Sequence, residues 1–124
     1  VQRPIPVWIG ATDDKPIERA GRLADGWVAN PRVKPDDDGR RNPETFRTAA
    51  RDAGRDPDKL GVEGTVFTGG LGSQAWAADT KAWGEFGATN VTVRSTLREE
   101  GAEPMTPDEH IGVLRQYREA WPKG

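Results

Sequence analysis

A chain of 124 residues has single-domain length, yet only 34% of it is apolar and 31% is charged, against roughly 45–50% apolar in ordinary domains counted with glycine, so its core is thin and a missing partner surface is expected. Eighteen basic and twenty acidic side chains leave a net charge of −2 in mixed sign, which excludes the basic stripe that nucleic acid would require; no apolar run approaches the roughly 18 residues of a membrane span, and no secretory signal opens the chain. The absence of cysteine excludes a disulfide framework and a thiolate metal site and fits a cytoplasmic setting.

The apolar residues are clustered and periodic, as in a folded chain. Val7-Trp8-Ile9 reads as a first strand, with Val7 and Ile9 on one face and Trp8 on the other. A helix is expected over residues 14 to 24, with Pro16 in its first turn, where a missing N–H costs nothing. Ile17, Ala20, Gly21 and Ala24 form a narrow face of small residues that would let this helix lie close to a sheet. Asp25-Gly26 reads as the return turn, with Gly26 suited to a left-handed position.

A short second strand, residues 27 to 29, ends at Asn30-Pro31. The charged stretch that follows contains Asp36-Asp37-Asp38, which lacks the alternating spacing and the closing glutamate of a calcium loop and reads as solvated loop. Asn42 as cap and Pro43 at the first position announce a second helix with a stripe of Phe46, Ala49, Ala50 and Ala53, ended by Gly54. After a turn at residues 55 to 58, residues 60 to 68 form a third strand in which Val62, Gly64 and Val66 alternate with Glu63, Thr65 and Phe67.

Gly69-Gly70-Leu71-Gly72 closes this strand, and Ser73 is placed to cap a third helix over residues 74 to 86. The glycines lack the lysine of a nucleotide-binding loop and read as a connection. Trp76, Thr80, Trp83 and Gly87 lie along one side of the helix as packing anchors. Residues 90 to 94 form a fourth strand, alternating Val91 and Val93 with Thr92 and Arg94. Thr106-Pro107-Asp108-Glu109 is a capping box, and Ile111, Leu114 and Trp121 give the last helix an apolar edge that Pro122 stops.

Four strands therefore alternate with four helices, which implies an α/β fold with a parallel sheet and right-handed crossovers. Four such units are half of an eight-stranded barrel, or a small open sheet. The strand pattern begins within five residues of Val1, so the 124 residues are expected to be a single half-barrel domain within a longer chain.

In parallel α/β folds ligands bind at the C-terminal ends of the strands. That rule selects Gly10-Ala11-Thr12, Ala29-Asn30, Thr68-Gly69-Gly70 and Arg94-Ser95-Thr96. Before the first helix, backbone N–H groups, the small Gly10 and the Thr12 hydroxyl could receive an anion, or the helix could cap itself with Asp13 and Asp14. Arg94, if it faces a barrel interior, either binds an anionic ligand or pairs with an acid such as Glu63. His110, the only histidine, has no second histidine or cysteine with which to build a zinc or nucleophile site, and is assigned a surface or packing role.

Three stretches carry a family resemblance. Residues 3 to 10 (Arg-Pro-Ile-Pro-Val-Trp-Ile-Gly), residues 19 to 27 ending Ala24-Asp25-Gly26-Trp27, and residues 87 to 93 together with His110-Ile111 and the helix to Trp121 resemble luciferase-like monooxygenases. The resemblance implies a (β/α)8 barrel, of which this is the C-terminal half, and a flavin- or deazaflavin-dependent oxidoreductase acting on a small molecule. It further implies a cofactor, FMN or the deazaflavin coenzyme F420, whose phosphate lies at Gly10, Ala11 and Thr12. The Arg-, Ala-, Asp- and Gly-rich composition matches high-GC bacterial proteins, in which the deazaflavin is common. The half-barrel alone is expected to be inactive. The alternative is a non-catalytic module that forms a homo-oligomer or binds another chain around Trp8, Val28 and Phe67.

Overall fold

The computed structural model describes residues 4–69, 72–95 and 104–121. Strand β1 spans Trp8–Ala11, β2 Gly26–Ala29, β3 Gly61–Phe67 and β4 Asn90–Arg94; helix α1 spans Asp14–Leu23, α2 Arg41–Asp52, α3 Ser73–Phe86 and α4 Pro107–Ala120. All strand pairs are parallel and the order is β1-β2-β3-β4. Consecutive order, with the helix layer on one face, is the winding of a barrel segment; a doubly wound sheet would reverse its order. The fold is α/β, four βα units forming half of a (β/α)8 barrel.

Alternation within the strands sets the two faces. In β3, Val62, Gly64 and Val66 are buried while Glu63, Thr65 and Phe67 are half-buried. The buried residues join Ala11, Trp27, Ala29, Ile17 and Phe46 in the core beneath the helices. The opposite face carries Trp8, Gly10, Val28, Glu63, Phe67, Thr92 and Arg94, and none of the described helices covers it.

Close packing explains several glycines. Gly21 lies where any Cβ would strike the Phe46 carbonyl and the Ala49 side chain. The small face of α1 therefore seats α2 as well as the sheet. Gly26 does not take the left-handed conformation expected of it: among the described glycines only Gly54 (φ 73°) and Gly87 (φ 96°) do. Gly26 instead lies within β2, directly opposite Trp8, with Gly61 next in the same row. The Trp8 ring lies flat over both, in the space that two Cβ atoms would fill. The last carbonyls of α1, at Gly21 and Ala24, accept hydrogen bonds from Arg55 Nη1 at 2.8 and 2.7 Å, satisfying groups that a helix end leaves unpaired.

Helix starts were the least legible local feature. Helix α2 begins at Arg41, with Arg40 already in the helical region and no side-chain cap, so Asn42 lies inside it. The preceding turn supplies the alternative, with Gly39 N–H donating to Asp36 Oδ1 and Arg40 N–H to the Asp36 carbonyl. Gly72, not Ser73, is the N-cap of α3. The capping box of α4 is present as expected, with Thr106 and Glu109 bonded reciprocally.

Helix α4 packs differently from its predicted edge. Ile111, Leu114 and Trp121 are 45%, 46% and 46% exposed, and Tyr117 is the buried residue. Thr80 donates to the Trp76 carbonyl at 2.7 Å, so the Tyr117 hydroxyl, 2.7 Å from Thr80 Oγ1, donates to Thr80. Burial raises the Tyr117 pKa, and the Thr80 hydroxyl, which can turn toward a phenolate, offsets part of that rise. The folded state thus holds this proton more tightly than the unfolded chain, so stability is expected to fall once pH exceeds the unfolded value of about 10. Tyr117→Phe should cost about 1 kcal/mol at neutral pH and flatten that alkaline loss; denaturant titrations at neutral and alkaline pH would show it, and an unaltered alkaline slope would refute the assignment.

Candidate ligand-binding rim

The C-terminal strand ends bring Gly10-Ala11-Thr12, Asn30, Thr68-Gly69 and Arg94-Ser95 to one rim; Gly70 and Thr96 lie outside the described residues. Gly10 is exposed on the open face, and a Cβ there would approach nothing nearer than the Val28 carbonyl at 4.0 Å. Ala11 turns the other way into the core, and its carbonyl accepts the Trp27 indole N–H at 3.0 Å. Thr12 is exposed.

The self-capping alternative finds no support in hydrogen bonding. Asp13 is the N-cap of α1 in extended conformation, yet its side chain makes no cap hydrogen bond. Asp14 is drawn aside to Arg41, 3.2 Å away. The first-turn N–H groups of α1 are therefore not occupied by a side-chain cap, and one of the two nearby carboxylates is already paired with a cation.

Arg94 does not pair with Glu63. Strand register sets Glu63 opposite Asn90, two same-face positions below Arg94, and the Glu63 carboxylate accepts the Thr92 hydroxyl at 2.8 Å. Arg94 lies directly opposite Phe67, its guanidinium 5.8 Å from the ring centroid, within cation–π range. Among the described residues it forms no ion pair.

The predicted site residues are not all brought together. Gly10, Val28, Glu63 and Asn90 form one row across the sheet. Three strand spacings separate Gly10 from Asn90, about 14 Å, and Arg94 lies about 13 Å further along its strand. One phosphate cannot touch Gly10-Thr12 and Arg94 in a single copy.

His110 is half-buried, in keeping with a packing role. Its Nδ1 lies 2.8 Å from Ser95 Oγ, which ties the first turn of α4 to the end of β4. The capping box fixes where α4 starts, and so places His110 in its first turn, without saying which strand end that turn meets. Concavities away from the rim include one of about 610 Å³ between α1 and α2, lined by charged residues such as Glu18, Arg22 and Arg41, and one of about 560 Å³ at the opposite end, beside Trp8, Asp25 and Lys59. No cluster of potential metal ligands occurs among the described residues, and none of the described helices is long and apolar enough to cross a membrane.

The model of the luciferase-like monooxygenase family matches residues 1–122. Among solved structures, the chain is similar to the coenzyme F420-dependent tetrahydromethanopterin reductase from Methanopyrus kandleri, at 17% identity and a TM-score of 0.47, covering 94% of this chain and 42% of that one. It is also similar to an F420-dependent secondary alcohol dehydrogenase in complex with an F420-acetone adduct, at 15% identity and a TM-score of 0.45, covering 97% of this chain and 42% of that one. The chain thus spans about two-fifths of the length of both. No curated protein sequence matches it.

Proposed function

Because the chain belongs to the luciferase-like monooxygenase family, we propose that it is the C-terminal half-barrel domain of a longer flavin- or deazaflavin-dependent oxidoreductase acting on a small molecule. The observation that carries this reading is the sheet face that no described helix covers, with an arginine that has no ion pair among the described residues and an open glycine turn at its C-terminal rim. The residues suit an anionic cofactor such as FMN or F420. The Gly10 side of the turn is open, the Thr12 hydroxyl is exposed, Asp14 is engaged by Arg41, and Arg94 offers a cation.

When bound, the cofactor supplies the redox chemistry, and the protein supplies orientation and electrostatics. Gly10-Ala11-Thr12 would receive a phosphate through backbone N–H groups and a hydroxyl. Arg94 would hold a second anionic group, since the two positions are too far apart to share one. Phe67 lies within cation–π range of the guanidinium and favours its placement at the rim.

The chain alone is expected to show no turnover with FMN or F420 and any reductant or small alcohol. Fluorescence titration should give weak binding that Arg94→Ala lowers about tenfold, the loss of one charge-assisted contact. Measurable turnover by the 124-residue chain would overturn the half-site reading, and an unchanged affinity would remove Arg94 from the site.

A further inference from the structure

Helix α2 sits unevenly between its neighbours. The bare Cα of Gly21 lets α1 press against the Phe46 carbonyl and the Ala49 side chain, so α2 packs closely on α1 and stands away from α3. A groove of about 410 Å³ opens on that far side. Pro43 and Phe86 are its buried lining, and Arg40, Glu44, Arg47, Arg51 and Glu85 are its charged lining. Helices α2 and α3 follow the two middle strands. The groove therefore lies on the outer helix layer, away from both edges of the sheet and from its open inner face.

Helical spacing sets Arg40, Glu44, Arg47 and Arg51 on one side of α2. Two of the five charges are already matched: Arg40 through its Nε with Asp37 at 3.1 Å, and Glu85 with Lys81 at 3.8 Å. Glu44 also lines the concavity between α1 and α2, so it stands on the crest of the helix and is shared between the two. Arg47 and Arg51 form no ion pair among the described residues. Arg47 is half-buried, and its Nη2 donates to the Gly87 carbonyl at 3.1 Å, which carries the guanidinium across the gap to α3. A Cβ at Gly87 would occupy the same space. Arg51 Nη2 donates to Thr48 Oγ1 at 3.1 Å. A guanidinium has five N–H donors, so each of the two commits one and keeps the rest. Partial burial also removes water from Arg47, so an anion gains more beside it than beside a charge in open solvent.

We propose that the groove between α2 and α3 is a second anion site, separate from the rim, which holds a phosphate monoester between Arg47 and Arg51. The two residues stand one turn apart, about 6 Å along the helix axis, so their forks can close on one tetrahedral oxyanion. A carboxylate has two oxygens, and one guanidinium fork occupies both. A phosphate monoester has three, with a charge near −2 that balances both arginines. Glu44 and Glu85 on the same walls moderate the field, so the affinity is expected in the millimolar range. A small metabolite and a phosphorylated side chain both present this group. The site is independent of the cofactor reading and of whatever completes the sheet.

Titration with inorganic phosphate at constant ionic strength, followed by heteronuclear NMR, should give saturable shifts of the Arg47 and Arg51 Nε–H signals. Arg51→Gln, at an exposed position, and Arg47→Gln should each weaken binding about tenfold, the loss of one charge-assisted fork. Arg47→Lys, which keeps the charge without the fork, should fall between Arg47→Gln and the parent. Because Arg47→Gln also removes the bond to Gly87, circular dichroism checks its fold, and Arg51→Gln carries the test if that variant does not fold. Glycerol phosphate and a short phosphoserine peptide should bind at the same signals, and the tighter of the two identifies the source. Shifts that never saturate, that acetate reproduces, or that keep the parent's affinity in Arg51→Gln overturn the site. A response confined to the Gly10 and Thr12 amides also overturns it and leaves the rim standing, whereas a groove response without one at the rim supports this site alone.

Discussion

Trp27→Ala is expected to leave the chain largely unfolded at room temperature. Trp27 is fully buried, its ring centroid 6.1 Å from that of Phe46, and its indole N–H holds the Ala11 carbonyl at 3.0 Å. Emptying such a site costs about 3–5 kcal/mol. That is comparable with the whole stability of a domain near the lower end of the usual range of about 5–15 kcal/mol, where a thin core places this one. Trp27→Phe retains most of the apolar contact and leaves the Ala11 carbonyl without that donor, so its cost should be nearer 1–3 kcal/mol. Guanidinium titration of the three proteins measures both steps; an alanine variant within 1 kcal/mol of the parent would mean that β2 does not anchor the core. The same hydrogen bond holds the candidate anion turn, so the phenylalanine variant should also loosen it.

Gly21→Val should be nearly as damaging although it adds atoms instead of removing them. A Cβ at Gly21 meets the Phe46 carbonyl and the Ala50 nitrogen as well as the Ala49 methyl, so two of the three obstacles are backbone and cannot rotate away. Replacing a mid-helix glycine lowers the backbone entropy lost on folding and gains at most about 1 kcal/mol. Overpacking at a rigid contact costs about 1–3 kcal/mol and sometimes more, so strain wins and α1 must separate from α2. A melting temperature at or above the parent's would show that the two helices can shift apart without loss.

The two buried sites also show where the fold was legible in the sequence. Strand alternation at Val62 to Phe67 and at Val91 to Arg94 was readable because a half-buried parallel strand imposes a period of two on its own residues. The capping box at Thr106 was readable because both partners lie within one turn. Asn42 and Ser73 failed as caps because a cap depends on the backbone conformation of the preceding loop, and in α2 that loop already satisfies the first donors. Gly26 failed as a turn glycine because its reason is Trp8, eighteen positions away on another strand.

The candidate site was legible in kind and not in arrangement. Strand-end residues could be selected from the fold alone, but Arg94 could be separated from Glu63 only through the register of β3 against β4. The Ser95–His110 contact needed the placement of α4 against the end of β4. The exposure of Ile111, Leu114 and Trp121 was hidden because helical spacing marks an apolar side without saying whether anything in the same chain covers it.

The flat Trp8 ring also restricts how this sequence can change over generations. Because one indole occupies the room of two missing side chains, positions 8, 26 and 61 are not free to vary one at a time. Any side chain at Gly26 or Gly61 must be preceded or accompanied by a smaller residue at position 8, and a smaller residue at position 8 alone leaves a hollow over two bare strands. Related chains should therefore exchange these three positions as a set, with bulk conserved in sum and redistributed among the strands.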